Sequence, residues 1–400
     1  MDHDDYTYLI IGGGMAADAA VRGIREVDAD GTIGLISAEP DPPYKRPPLS
    51  KKLWHGKALD SVWLGTDRLG VDLHLGRTGR LLDLEHKRVV DDRGTEYGFD
   101  KLLLATGVTP RRLPVGGHWI TYYRTVKDYQ RLRQEAARGQ RFAVIGGGFI
   151  GSEIASALAV NGKEVVMIMP EAGIGSRLFP SDLAEFLNDY YRQHGIEVLT
   201  NSTVTDVVRR GDRFTVATQN TATSTGRELE VDGIVAGIGA QPNVDLAQTA
   251  GLAVNNGIVV DPYLRTSHPD VYAAGDVALY WQSVLGQRRR VEHEDNATTM
   301  GRHAGRAMAG EQEPYEHLPF FYSDMFDLGY EAVGDVDARL EVVAEWEEPF
   351  RKGVLTYRDG GRVRGALLWN VWDQLDAARA LIADPDAIAS KQMSELVGVR

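Results

Sequence analysis

Two short stretches set three small residues at a fixed spacing. Gly12, Gly14 and Ala17 form G-x-G-x-x-A, and Gly146, Gly148 and Gly151 form G-x-G-x-x-G. Each follows an apolar run, Tyr8–Ile11 or Phe142–Ile145, and each opens into small and apolar residues at helical spacing. A strand-to-helix turn of such residues lets backbone N–H groups approach a pyrophosphate, and the helix N-terminus adds partial positive charge. One pattern is a weak signal against an ordinary tight turn. Two in one chain point to a duplicated mononucleotide fold with one bound dinucleotide per copy.

An acidic residue follows each turn about 20 residues on, where a carboxylate can bond a ribose hydroxyl and repel a 2′-phosphate. These are Glu39, after TIGLIS, and Glu171, after EVVMIMP. A solvated loop glutamate is the rival reading of both. No arginine occupies the strand end in the second copy, which favours NADH over NADPH, although Arg177 lies a little further on.

Residues 43–52 read PYKRPPLSKK, three prolines among four cations. Proline fixes φ and lacks a donor, so this stretch is neither helix interior nor central strand. Other segments carry the same strand-and-turn logic. YGFDKLLLATGVTPRR contains the small turn Ala105–Thr106–Gly107 and then Arg111; GIGAQPN contains Gly239; TSHPDVYAAGDVALY ends its apolar run at Gly275–Asp276. Asp276 by itself is also a fair helix N-cap. Toward the C-terminus, LEVVAEW and RVRGALLWNVWD read as strands, with Asp359–Gly360–Gly361 as a hairpin turn.

The elements that position these residues must come from an ordinary globular chain of 400 residues, 43% hydrophobic and 25% charged. That length supports two or three domains with proper cores. A formal charge of −13 argues against a nucleic-acid partner. No metal-ligand spacing stands out, and VEHEDNATTMGRHAG, rich in His, Glu and Asp, matches none. With no cysteine, disulfides, thiolate metal sites and thiol nucleophiles are excluded. No signal peptide and no apolar run of about 20 residues is present, so a cytoplasmic location without a membrane span is expected.

The motifs, in this order, resemble those of the two-dinucleotide flavoproteins of the glutathione-reductase type. The resemblance implies an α/β fold: two Rossmann-like dinucleotide-binding domains plus a C-terminal α+β domain. FAD would bind 1–112 with 242–317, NAD(H) would bind 113–241, and 318–400 would form the last domain. Asp276 would hold the flavin ribitol. Glutathione, lipoamide and thioredoxin reductases of this fold use a redox-active disulfide, and its NADH peroxidases a single cysteine. Neither is available here, so electrons must leave the flavin directly for an external acceptor.

Nearly the whole chain resembles apoptosis-inducing factor and the related FAD-dependent ferredoxin and rubredoxin reductases of oxygenase systems. PYKRPPLSKKLW, IGGGFIGSE, RRRVEHEDNA, YSDMFDLGYEAVG and LLWN carry the likeness. It implies that Arg46 and Arg111 contact FAD and that Lys51 sits against the isoalloxazine near N5. A cation beside a redox centre works only if it is held in place, which gives the prolines a purpose. Lys51 is expected to pair with Glu153, because an unpaired buried lysine costs several kcal/mol. Phe149 would shield the flavin face until the nicotinamide displaces it, and His293 and Trp369 would lie near the ring. Packing is the rival reading of Phe149 and Trp369. In two places the chain departs from the pattern: the ribose-reading acid of the relatives aligns with Ala38, next to Glu39, and Glu294 stands where ferredoxin reductases often place a tryptophan. The long C-terminal insertion and the mitochondrial leader of animal members are missing, so their apoptotic and DNA-degrading roles are not carried over.

The expected activity is transfer of hydride from NADH to FAD, then of electrons to a ferredoxin or another electron-carrier protein. GQRRR, residues 286–290, with Lys45, Lys52 and Lys57, would form a docking rim for an acidic carrier, with an ordinary solvated basic surface as the rival reading. The alternative is a redox sensor, a monomer that becomes an NADH-linked homodimer. A reductase of small-molecule acceptors, quinones or monodehydroascorbate, is a third reading.

Overall fold

The computed structural model describes residues 3–384. Residues 385–400 of the expected C-terminal domain, and the first two of the chain, lie outside the described residues. The chain forms two compact units. One is built from the stretch ending at Arg46 with Asp60–Thr109 and Gln241–Pro319; the other from Pro47–Leu59, Pro110–Ala240 and the described chain from Phe320 onward.

The first unit is organised by the strand His3–Ile11, which pairs in parallel with Ile33–Ser37 on one side and Glu96–Leu104 on the other. Val71–Leu75 extends the sheet in parallel beyond Ile33–Ser37, and Val271–Ala273 adds to Glu96–Leu104. Arg88–Asp91 and Gly79–Asp83 complete it antiparallel. Leu9, Ile10, Leu35 and Leu102 to Leu104 are fully or almost fully buried, the near-continuous apolar pattern of strands covered on both faces. Helix α1 (Met15–Val27) packs along α6 (Glu294–Met308), and the short α5 (Asp245–Thr249) lies against Gly79–Asp83. The approach is close: a β-carbon on Gly305 would overlap the Ala20 carbonyl, so small residues let the two backbones meet. That contact fixes where the α1 N-terminus points.

The second unit repeats the plan. Arg141–Ile145 is flanked in parallel by Glu164–Ile168 and Gly233–Ala236, with Ile196–Leu199 and Ile120–Tyr122 at the edges. Helices α2 (Val126–Arg138), α3 (Phe149–Val160) and α4 (Ser181–Gln193) accompany it. Thr125 closes a capping box with Asp128 at the start of α2. Ser202–Arg210, Arg213–Asn220 and Gly226–Val231 form a separate antiparallel sheet. The chain from Phe320 builds a five-stranded antiparallel sheet in the order Phe320–Met325, Leu328–Gly334, Arg362–Trp369, Lys352–Asp359, Glu341–Glu348. Helix α7 (Leu375–Ala383) packs on that sheet. Gly360 and Gly361, both at positive φ, turn its Lys352–Asp359/Arg362–Trp369 hairpin. The molecule is thus α/β with two Rossmann-like halves and a C-terminal α+β segment. Among the described residues, no helix is long and apolar enough to cross a membrane.

The PYKRPPLSKK stretch crosses from one unit to the other. Pro47–Leu49 and Lys52–His55 are single 3-10 turns, which suits residues that cannot enter a helix interior or a sheet ladder.

Candidate functional site

The two glycine turns are built alike. Gly12 sits at φ +130° and Gly146 at φ +107°. A β-carbon on Gly12 would overlap the Ala105 carbonyl, and one on Gly146 the Gly237 carbonyl. Each first glycine therefore wedges its turn against the neighbouring parallel strand. Gly14 and Gly148 are the N-caps of α1 and α3, and neither helix has a side-chain cap. A β-carbon on either would meet nothing within 4 Å. Uncapped helix N–H groups facing open space are what a pyrophosphate requires, so both turns fit a dinucleotide. The third position differs. A β-carbon on Gly151 would overlap the Gly146 carbonyl, whereas Ala17, fully buried, is accommodated in the first copy.

Both acidic residues at the strand ends are engaged. Glu39 pairs with Arg46 Nη2 at 2.5 Å and accepts from the Tyr44 hydroxyl. Glu171 pairs with Arg177 Nη2 at 2.7 Å, the arginine itself being widely exposed. In the first unit the Ala105–Thr106–Gly107 turn is clamped by Asn243. Asn243 Nδ2 donates to Thr106 O at 2.8 Å, its backbone N–H to Gly107 O at 3.0 Å, and Thr106 Oγ1 donates to Asn243 O at 2.7 Å. Asn243 ends the quoted GIGAQPN segment, yet nothing in its spacing marked it as a clamp. In the second unit, Arg111 N–H donates to Gly239 O at 2.9 Å and its Nε to Ala240 O at 3.2 Å.

Gly275, at φ +77°, turns the chain against α1 close to Ala16, so Asp276 follows directly beside that helix. Arg290 supports this turn from within: Nη1 donates to Asp276 O at 3.0 Å and Nε to Asn256 O at 2.9 Å. Its side chain is only 11% exposed and also pairs with Glu292 at 2.5 Å. The expected rim is corrected here. Arg290 is a half-buried brace, while Lys45, Lys52, Lys57 and Arg288 are exposed. His293, the N-cap residue of α6, is pushed down to about 4, by burial first, with Asp276 opposing and Arg289 assisting. It is a neutral imidazole at physiological pH.

In the second unit, Lys51 and Glu153 form an ion pair whose side chains are 10% and 4% exposed. Lys51 follows the first 3-10 turn, and Glu153 lies in the first turns of α3. The Lys51 ammonium also lies 5.2 Å from the centre of the Tyr322 ring. The loop is pinned: Trp54 Nε1 and the Tyr123 hydroxyl both donate to Leu49 O, at 2.9 and 2.6 Å, and Asn161 Nδ2 donates to Trp54 O at 3.1 Å. Phe149 is partly exposed and meets Phe321 edge-on at 5.5 Å. Trp369 is fully buried, stacked within 6° of parallel on Tyr330 and edge-on to Phe179, with Nε1 donating to Phe350 O at 3.0 Å. Protein encloses its ring, so the expected cofactor contact gives way to core packing.

Among the predicted residues, the first unit gathers Gly12, Gly14, Ala17, Glu39, Arg46, Ala105, Thr106, Gly107, Gly275, Asp276 and His293. The second carries Lys51, Arg111, Gly146, Gly148, Phe149, Gly151, Glu153, Glu171, Gly239 and Trp369.

Comparison with known proteins agrees with this geometry. The profile described as pyridine nucleotide-disulphide oxidoreductase matches residues 6–301, and that of the apoptosis-inducing factor C-terminal region matches 304–349. The chain is 35% identical to mitochondrial apoptosis-inducing factor 1 of Dictyostelium discoideum, over 95% of this chain and 79% of that protein. It is 33% identical to the ferredoxin–NAD(+) reductase component of the anthranilate 1,2-dioxygenase system of Burkholderia cepacia, over 96% of each. Among solved structures, the covalent putidaredoxin reductase–putidaredoxin complex aligns with a TM-score of 0.89 at 26% identity, over 99% of this chain and 98% of that one.

Proposed function

The chain belongs to the pyridine nucleotide-disulphide oxidoreductase family, and from that premise we propose that it is an NADH-dependent FAD oxidoreductase that passes electrons to a ferredoxin-type carrier. FAD, when bound, takes a hydride from NADH and releases electrons to an external acceptor; that chemistry is the cofactor's own. The protein supplies position and charge. The α1 turn with Gly12, Gly14 and Ala17 holds the FAD pyrophosphate. Glu39, Arg46, Ala105, Thr106, Gly107, Arg111, Asp276 and His293 complete its surroundings. The α3 turn with Gly146, Gly148 and Gly151 holds NADH, with Glu171 on the adenosine ribose and Gly239 beside it. Lys51 would supply a fixed positive charge beside the flavin ring, and Glu153 would hold that charge in place and help orient the nicotinamide. Phe149 would shield the flavin face.

The observation that carries this reading is the pair of matching dinucleotide cradles in a chain without cysteine. No thiol can store the electrons, so they leave for an outside acceptor. The test is anaerobic reduction with one equivalent of NADH, followed by reoxidation with a ferredoxin and, separately, with air. Fast discharge by ferredoxin and slow discharge by air supports the reading; failure of both acceptors overturns it.

The C-terminal match to the apoptosis-inducing factor region favours a second reading. In it, NADH produces a long-lived reduced form that dimerises, with little turnover. Light scattering with and without NADH separates the two, since only the sensor changes mass.

A further inference from the structure

Glu153 is held by more than its lysine. Ser50 Oγ donates to Glu153 Oε2 at 2.5 Å, and Ser323 Oγ donates to Oε1 at 2.6 Å. Ser50 is 6% exposed and Ser323 1%. Ser50 directly precedes Lys51, so one loop delivers a hydroxyl and an ammonium to the same carboxylate. Ser323 arrives from the edge strand Phe320–Met325 of the C-terminal sheet, and its neighbour Tyr322 lies against the Lys51 ammonium. Tyr191 and Tyr330 stand nearby; burial and then the Glu153 charge push both hydroxyls well above their ordinary range, so both stay neutral.

We propose that Ser50 and Ser323 are positioning residues for hydride transfer, holding Glu153 in the one orientation that also holds Lys51. The proposal rests on the roles given above to Lys51 and Glu153. A buried ion pair is stable only when further hydrogen bonds satisfy its remaining oxygens. A carboxylate offers about four acceptor directions and Lys51 takes one. Two neutral donors, one on each oxygen, stop the carboxylate from rotating and stabilise its negative charge. The C-terminal sheet thereby becomes part of the redox site.

The experiment compares Ser323→Ala, Ser323→Thr, Ser50→Ala and Glu153→Gln with the wild type as FAD-loaded proteins. Stopped flow gives the limiting rate of flavin reduction and the half-saturating NADH concentration. Mass spectrometry gives the rate at which acetic anhydride labels Lys51. Each alanine variant should lose about tenfold in limiting rate, the loss of one hydrogen bond to a charged group. Half-saturation should stay constant, and Lys51 should label several-fold faster. Ser323→Thr, which keeps the hydroxyl, should restore rate and labelling together. If Ser323→Ala does not fold, Ser50→Ala and the threonine variant carry the comparison. Alanine variants with wild-type rates and labelling, beside a slowed Glu153→Gln, overturn the proposal alone. An unslowed Glu153→Gln overturns the role of the ion pair itself, and the proposal with it.

Discussion

Gly12 and Ala105 meet backbone to backbone, so closely that any β-carbon on Gly12 would overlap the Ala105 carbonyl oxygen. Gly146 and Gly237 repeat that meeting in the second unit. Each contact joins a glycine turn to the end of a parallel neighbouring strand, and each glycine holds a φ that other residues rarely adopt. Gly12→Ala should therefore purify without FAD. Gly146→Ala should keep FAD but lose reduction by NADH. Each should cost at least about 2 kcal/mol of stability. Absorbance of bound flavin and thermal melts check both, and an FAD-replete Gly12→Ala contradicts the assignment.

Lys51→Ala and Glu153→Ala should slow flavin reduction by NADH while FAD stays bound. Removing one partner of a buried pair leaves the other charge uncompensated, so each variant should also lose about 3 kcal/mol of stability. The double variant should lose less than the sum of the two. Unchanged stopped-flow rates in both single variants would remove the claim.

Arg290 should matter through FAD and not through a carrier protein. Its guanidinium braces the Asp276 carbonyl from the inside. Arg290→Ala should weaken FAD binding by about tenfold. Arg288→Ala, on an exposed side chain, should leave FAD binding unchanged. Flavin fluorescence on release distinguishes them.

Coenzyme choice should respond to the Glu171–Arg177 pair. The wild type should prefer NADH, because Glu171 repels a 2′-phosphate and occupies Arg177. In Glu171→Ala the arginine is released toward that phosphate, and kcat/KM for NADPH relative to NADH should rise about tenfold. Equal use of both coenzymes by the wild type would contradict the expectation.

His293 should shape stability in mild acid. Its pKa is pushed down to about 4 in the folded chain against 6.5 ordinarily. Between those values the unfolded chain binds the proton and the folded chain does not. Stability should therefore fall as pH drops from 6.5 to about 4, by about 3 kcal/mol at most. Below that window this residue contributes no further slope. His293→Gln should flatten the loss, as read by urea unfolding from pH 7 to pH 4.

The glycine turns were legible because chemistry there is written as spacing within a few residues. The parallel strands were legible as apolar runs and the proline-held loop as irregular chain, while Lys51 within that loop was named by resemblance. Ser50, Ser323 and Asn243 were not legible. A single hydroxyl or amide that meets its partner across 100 or more residues leaves no local pattern. Arg290 was misread for a related reason: a run of three arginines looks like one surface, yet the last of them, just past the strand Gln287–Arg289, turns back onto the Asp276 and Asn256 carbonyls, and contacts at that sequence distance leave no local pattern. Trp369 shows the limit of resemblance, since a matching residue can be spent on packing.

The pinned loop has a consequence for motion. Ser50 and Lys51 bind the first turns of α3 through Glu153, while Trp54 O receives Asn161 Nδ2 at that helix's far end. Residues 50–54 are therefore strapped to both ends of one helix. A loop normally exchanges its amide hydrogens in seconds, as an independent opening. This one should exchange its protected amides at the rate of α3, so that charge and helix let go of each other only when the whole splint melts.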